Sequence, residues 1–252
     1  MMEDMTLWIW VQAIFGAMLV GISKAGIPGV ATLSVGIYAL IFDPKDSVGI
    51  LLPILTVANT VAILIYWKDG NWKIIIKFLP FTLIGIVIGY FTSDSIPKEK
   101  MCSTIGIMLI LMTVLHFIRK WWTQKNSSEK SDQFSRNLLF TAIMGLLTGA
   151  VSLIANVGAP LTTIYLMTQK LNKIAFIGTA AWFYFIVNFI KLPFQSSLGN
   201  ITAESMKLSG ILSIFAVMAS VVSPLIVRKI SQALFEKLVW FFVIITSIRL
   251  IF

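Results

Sequence analysis

Residues 21–29 read GISKAGIPG and interrupt a long apolar stretch that extends over residues 7–42. Proline removes a backbone donor that a helix interior needs, and glycine allows conformations that other residues avoid. A spanning helix requires about 20 apolar residues, so the part that follows this interruption is too short to cross a bilayer comfortably. The stretch therefore predicts a broken helical element, and a re-entrant hairpin is its simplest form.

A second long apolar stretch, residues 138–168, is interrupted in the same way by NVGAP at residues 156–160. The rest of the chain contains six apolar segments with the length of one full membrane span, and they cover residues 47–66, 72–92, 101–118, 175–195, 206–227 and 233–252. The pattern predicts an all-α integral membrane protein whose surroundings are a lipid bilayer.

The composition excludes a soluble domain. Hydrophobic residues make up 58% of the chain and charged residues 12%, whereas soluble domains have roughly 45–50% and 25%. The net charge of +9 is spread between apolar segments, so nucleic acid is not expected as a partner. The single cysteine, Cys102, and the single histidine, His116, provide no disulfide and no His-rich metal site, so no cofactor is expected. The catalytic sets that an intramembrane enzyme would need are also missing from the sequence.

The distribution of Lys and Arg predicts the orientation in the membrane, because cytoplasmic loops collect these residues. With the polar linker at residues 119–137 inside, six full spans and two returning hairpins place most of the basic residues on the inside as well. The same path places both termini outside. The prediction is a multi-pass cell-membrane protein with a cytoplasmic central linker.

The two halves of the sequence match each other at two offsets. Gly26 and Pro28 align with Gly158 and Pro160 at an offset of 132 residues. At an offset of 129 the matched pairs are Gly49 with Gly178, Asn59 with Asn188, and residues 70–71 with 199–200. One hairpin plus three spans is an odd number of crossings, so the second copy must enter from the opposite face. The prediction is two inverted-topology repeats, residues 1–118 and 138–252, joined by the linker at 119–137.

The stretch at residues 21–29, its weaker echo at Gly158 and Pro160, and the four-plus-four duplication with a polar centre resemble the sulfite exporter TauE/SafE family. The resemblance covers nearly the whole chain. It implies a membrane transporter for small sulfur oxyanions, such as sulfite or an organosulfonate like sulfoacetate, that exports its substrate by alternating access. The residues themselves indicate only a small anion. Import of thiosulfate or sulfate, or a non-transport role in membrane assembly, are the alternatives.

The candidate substrate-binding residues are those that bring positive charge or free amide groups to the membrane interior. Helix N-termini at the two breaks would attract an anion, and a lysine within a span usually has a functional role. Asparagine side chains can donate amide hydrogens to an oxyanion. The candidates are Lys24, Gly26, Pro28, Gly29, Asn59, Asn156, Gly158, Pro160, Asn188 and Lys191.

Each candidate also has a structural interpretation. The glycines and prolines could serve close packing, and Lys24 could neutralise the carbonyl ends of the first arms. Lys191 belongs to a polar helix face with Tyr184, Asn188 and Gln195, but it could also extend to the interface. Membrane asparagines often bond between helices, and threonines often bond their own helix backbone. The weaker threonine candidates are Thr56, Thr60, Thr162, Thr163 and Thr179.

Two further features concern coupling and assembly. The predicted spans contain no Asp or Glu, so the sequence offers no carboxylate ligand for a coupled proton or sodium ion. Gly85 and Gly89 have a small-xxx-small spacing that can pack helices. This spacing is compatible with a homodimer and equally with packing inside one chain.

Overall fold

The computed structural model describes residues 5–24, 30–125, 137–227 and 232–251, and within these ranges it contains ten α-helices and no strand. The all-α prediction is confirmed. The helices in chain order are α1 (Leu7–Ser23), α2 (Val30–Ile41), α3 (Pro44–Tyr66), α4 (Trp72–Asp94), α5 (Lys98–Lys125), α6 (Leu138–Ala155), α7 (Ala159–Thr168), α8 (Lys173–Ser197), α9 (Ala203–Val227) and α10 (Gln232–Ile251).

Five helices of the described chain are long and apolar enough to cross a membrane, namely α3, α4, α6, α8 and α9. Four of them coincide with spans predicted from the sequence. The fifth, α6, is the first arm of the second broken stretch and reaches spanning length by itself, with 18 residues. Of the remaining predicted spans, 101–118 lies in α5, and 233–252 lies in α10 up to Ile251, the last described residue.

The second break lies where the sequence predicts it. Helix α6 ends at Ala155 and α7 begins at Ala159. Between them Asn156 has a left-handed backbone (φ 56°, ψ 20°), and its amide donates to the Ser152 carbonyl at 3.0 Å. Asparagine is one of the few residues besides glycine that adopts this conformation readily, so it ends the helix. Pro160 occupies the first turn of α7, where its missing donor costs nothing.

The first break falls between α1 and α2. Lys24 follows the last residue of α1 as its C-cap, and α2 resumes at Val30. The predicted site residues Gly26, Pro28 and Gly29 lie outside the described residues. The second arms, α2 and α7, have 12 and 10 residues. Both are too short to span a bilayer, as predicted.

The two halves of the chain interlock, and their contacts occur in matching pairs. If α1–α5 are matched in order with α6–α10, then the contact of α1 with α9 corresponds to that of α6 with α4. The contact of α3 with α9 corresponds to that of α8 with α4. Helix α3 also packs against its own counterpart α8, and α5 packs against α10. These contacts agree with the duplication that the sequence predicts, and the inverted relation of the two halves stays a prediction.

Two glycines matched in the sequence make reciprocal contacts. A methyl group at Gly49 on α3 would lie against the backbone of Asn200, 3.2 Å from the next amide nitrogen. A methyl group at Gly178 on α8 would lie 2.9 Å from the carbonyl carbon of Asp69. Each glycine therefore receives the loop of the other half, and the Thr179 hydroxyl also accepts a hydrogen bond from the Asn71 amide at 2.9 Å. Such reciprocity is typical of interfaces built on a twofold axis.

The glycine pair on α4 packs inside the chain. A methyl group at Gly85 would lie 2.9 Å from the carbonyl carbon of Leu146 on α6, and one at Gly89 would lie 2.8 Å from the Ala150 carbonyl oxygen. Gly149 of α6 in turn faces the backbone of α4. The small residues let the two helix backbones approach closely. The intramolecular alternative is thus confirmed, and this spacing does not indicate a homodimer.

Candidate functional site

A cavity of about 110 Å³ lies between the end of α1, the second break and the inner faces of α3 and α8. One water needs about 10–15 Å³ on this measure, so a small ion and some water fit inside. Five of the predicted site residues line it together: Lys24, Asn59, Asn156, Asn188 and Lys191. The other lining residues include Ser23, Ala31, Leu55, Ala62, Ser152, Ala159, Thr163, Phe176 and Tyr184.

Lys191 is fully buried and is held at the second break. Its ammonium donates to the Asn156 side-chain oxygen at 2.7 Å, to the Ser152 hydroxyl at 3.0 Å and to the Asn188 side-chain oxygen at 3.4 Å. The interpretation that this lysine extends to the membrane interface is therefore wrong. All three acceptors are neutral. The ammonium lies beside the carboxyl end of α6, where the helix dipole favours a cation, but none of these bonds supplies a negative charge.

Asn156 connects three helices at this point. Its side-chain oxygen accepts from Lys191 on α8, and its side-chain nitrogen donates to the Val48 carbonyl on α3 at 3.0 Å. Its left-handed backbone also ends α6. Ser152, the second anchor of Lys191, escaped the sequence analysis because a serine within an apolar helix resembles a packing residue. The available signal was its position one turn before Asn156, which places both on the same helix face.

Lys24 differs from Lys191 in its surroundings. It lies at the C-cap of α1, where its backbone amide donates to the Gly21 carbonyl at 3.1 Å. Its side chain is partly exposed and lines the cavity. Within the described part of the chain the ammonium makes no hydrogen bond or ion pair. Its position agrees with neutralisation of the α1 carbonyl end, but the side chain remains free to meet a ligand.

Asn59 is buried in the cavity wall with both polar atoms of its side chain unpaired. Only 1% of the residue is exposed, and neither its amide nitrogen nor its oxygen has a hydrogen-bond partner among the residues that the structure describes. An unsatisfied buried polar group costs about 1–3 kcal/mol. The interhelical role considered for this asparagine is therefore not observed. A ligand or a water in the cavity would satisfy it.

Gly158 and Pro160 support the break but do not line the cavity, where α7 contributes Ala159 instead. A methyl group at Gly158 would lie 2.9 Å from the Ser152 β-carbon and 3.0 Å from the Thr148 carbonyl oxygen. For Gly158 the packing interpretation is thus the one observed.

The polar face of α8 divides between the cavity and the end of the helix. Tyr184, Asn188 and Lys191 line the cavity. Gln195 instead donates to the Leu153 carbonyl and accepts from the Asn200 side chain, each at 2.6 Å.

The weaker threonine candidates mostly have structural roles. Thr56, Thr60 and Thr162 donate to carbonyls of their own helices, as the structural interpretation expects, and Thr163 lines the cavity.

The cavity is lined by residues from both halves of the sequence. Ten of its lining residues form five pairs at the two offsets found in the sequence: Lys24 with Asn156, Ala31 with Thr163, Leu55 with Tyr184, Asn59 with Asn188, and Ala62 with Lys191. The lining includes two lysines and, within the described residues, no Asp or Glu. Such a lining, with two cationic side chains and no carboxylate, is suited to an anion.

Comparison with known proteins agrees with this geometry. The family described as Sulfite exporter TauE/SafE matches residues 13–250. No curated protein and no solved structure matches the chain significantly. The family is one of membrane transporters and not of enzymes, and it implies transport of sulfur anions, with sulfite export as the named activity. Because the match covers nearly the whole chain, the protein belongs to the sulfite exporter TauE/SafE family of multi-pass membrane transporters.

Proposed function

We propose that this transporter exports a small sulfur oxyanion, sulfite or an organosulfonate such as sulfoacetate, through the cavity between the two helix breaks. One observation carries the proposal. Two lysines and the unpaired amide of Asn59 converge on a cavity whose described lining has no carboxylate. A charge at the centre of a membrane helix costs about 2.5–3.5 kcal/mol even on the most permissive scale, and an anionic ligand offsets that cost.

The attraction between one lysine and an anion is large enough to contribute to binding. At a separation of 4 Å and an effective dielectric constant of 20, one ammonium and one negative charge attract by about 4 kcal/mol. Amide groups of Asn59 and Asn188 can donate hydrogen bonds to further oxygens of the ligand. Acetate shares only the charge with a sulfur oxyanion and has fewer oxygens to accept these bonds.

The proposed mechanism is alternating access between two inverted repeats, residues 1–118 and 138–252, with the linker at 119–137 cytoplasmic and both termini outside. The matching helix contacts and the reciprocal Gly49 and Gly178 contacts support the duplication. The cavity is lined by equivalent residues of both halves. Rocking of one half against the other would expose such a midplane site to each side in turn.

Export requires no coupled cation. An inside-negative potential of 100 mV supplies about 2.3 kcal/mol for each negative charge expelled. The cavity lining offers no carboxylate among its described residues that would bind a proton or a sodium ion. The membrane potential and the substrate gradient are then the driving forces.

The test is transport by the purified protein in lipid vesicles. Vesicles loaded with radiolabelled sulfite, sulfoacetate, thiosulfate, phosphate or acetate would be followed for efflux with and without an inside-negative potential. We expect efflux of sulfite or sulfoacetate that the potential accelerates. Lys191→Met should slow this efflux strongly, and Lys207→Met, on an exposed residue of α9, should leave it unchanged. Preference for thiosulfate would contradict the proposed substrate, and release of no anion above the rate of protein-free vesicles would overturn the proposal.

A further inference from the structure

We infer that the cavity binds a divalent oxyanion between two ammonium groups, one at each helix break. This inference rests on the proposed function and specifies the charge of its substrate. It predicts that the protein distinguishes ligands by valence, in addition to shape.

Each break carries one ammonium group. At the first break it belongs to Lys24, which immediately follows α1 and lines the cavity. At the second break it belongs to Lys191, whose ammonium is held 2.7 Å from the Asn156 side-chain oxygen and 3.0 Å from the Ser152 hydroxyl. Asn156 is the C-cap of α6, and Ser152 lies in the last turn of that helix.

The two ammonium groups come from positions that are not equivalent in the repeat. Asn156 occupies in the second half the position that Lys24 occupies in the first, and Ala62 is the counterpart of Lys191. The second half therefore lacks a lysine at the break itself and brings one there from α8. The positions differ while the charge at each break is the same. A role in packing alone would not require this replacement, whereas a ligand placed between the two breaks would.

The charge balance of the cavity favours a divalent ligand. Lys191 is bonded only to neutral acceptors, and Lys24 has no partner within the described part of the chain. A monovalent anion would compensate one of the two charges and leave the other uncompensated in the cavity. A divalent anion compensates both. The equivalent amides of Asn59 and Asn188 line the same cavity and can donate to its remaining oxygens.

The experiment compares sulfate with methanesulfonate, which replaces one charged oxygen of sulfate by a methyl group. Binding to the purified protein would be measured by titration calorimetry at constant ionic strength. We expect sulfate to bind at least about tenfold more tightly, corresponding to one ion pair. Lys24→Met removes an ammonium that has no partner to lose, so this variant should fold normally and bind the two anions within about threefold of each other. Lys207→Met is the matched control and should keep the preference.

The outcomes separate this inference from the proposed function. Equal affinity for both anions in the unmodified protein would overturn the divalent site and leave an anion transporter in place. Retention of the sulfate preference in Lys24→Met would also overturn it. Binding of neither anion, nor of sulfite, would overturn the proposed function itself. Lys191→Arg keeps the charge at the second break and should retain the preference for sulfate. It serves as the charge-conserving control for Lys191→Met, in which weak binding could also result from misfolding.

Discussion

Replacing Lys191 with methionine should weaken anion binding strongly while changing the stability of the ligand-free protein little. The ammonium donates three hydrogen bonds, of 2.7, 3.0 and 3.4 Å, all to neutral oxygens. Exchange of a buried charge for an apolar side chain of similar size is often neutral or stabilising. Buried acceptors left without a donor cost about 1–3 kcal/mol. Because these effects oppose each other, we expect the free energy of unfolding to change by less than about 2 kcal/mol.

Loss of the Lys191 ammonium can only weaken the binding of the anion. A hydrogen bond to a charged group contributes about 1.5–3 kcal/mol, so loss of the ammonium should raise the dissociation constant about 10- to 150-fold. An anion present at a hundred times its dissociation constant stabilises the unmodified protein by about 2.7 kcal/mol. The same concentration should stabilise the Lys191→Met protein by only about 0.3–1.4 kcal/mol.

The assay is unfolding of the purified protein in detergent, with and without sulfate or sulfite at constant ionic strength. Lys207→Met removes an exposed lysine of α9 and should retain the full ligand-induced stabilisation. The reasoning is refuted if ligand-free Lys191→Met loses more than about 3 kcal/mol and the folded fraction still binds the anion normally. That result would mean that Lys191 serves the carboxyl end of α6 and not the ligand.

Five further substitutions, at four positions, test the site and the helix packing separately. Asn156→Gly keeps the left-handed backbone but removes the 2.7 Å acceptor of Lys191, so transport should fall by about tenfold with little loss of fold. Asn156→Asp should abolish anion binding, because its carboxylate would pair with the Lys191 ammonium. Equal transport rates in the two variants would contradict this. Asn59→Leu removes an unpaired buried amide, so the free energy of unfolding should stay the same or rise by up to about 1–3 kcal/mol. The KM for transport should increase in this variant, and an unchanged KM would exclude Asn59 from the site. Gly85→Ala should cost about 1–3 kcal/mol of stability because its methyl group would meet the α6 backbone, but Gly210→Ala, which has open space, should be neutral or stabilising in the same denaturation assay.

Much of the fold could be predicted from the sequence because a bilayer imposes local rules. A helix satisfies its own backbone hydrogen bonds, whereas irregular loops and open sheet edges do not occur where the backbone faces lipid. Apolar length then locates a span, and the glycine, asparagine and proline near residue 156 locate the break after α6. The prediction is less complete for α6 itself, which has spanning length although the sequence pattern predicts one arm of a hairpin there.

The polar residues of the candidate site could be predicted from the sequence, but the hydrogen bonds between them could not. Lys24, Asn59, Asn156, Asn188 and Lys191 were all selected, because polar residues in a membrane span are conspicuous. Their individual roles were not predictable. Lys191 was given an interfacial alternative, and the anchor Ser152 was not selected at all.

By itself, the sequence determined that this chain is a helical membrane protein with two interrupted apolar stretches and two lysines within apolar segments, because each of these features depends on residues adjacent in the chain. The tertiary structure alone decided which polar groups meet. Lys191 bonds to residues 35 and 39 positions away, and Asn156 bonds to Val48 across 108 positions. The physical reason is that a hydrogen bond requires about 3 Å between atoms, and only the packing of α3, α6 and α8 around one cavity brings such distant residues within that range.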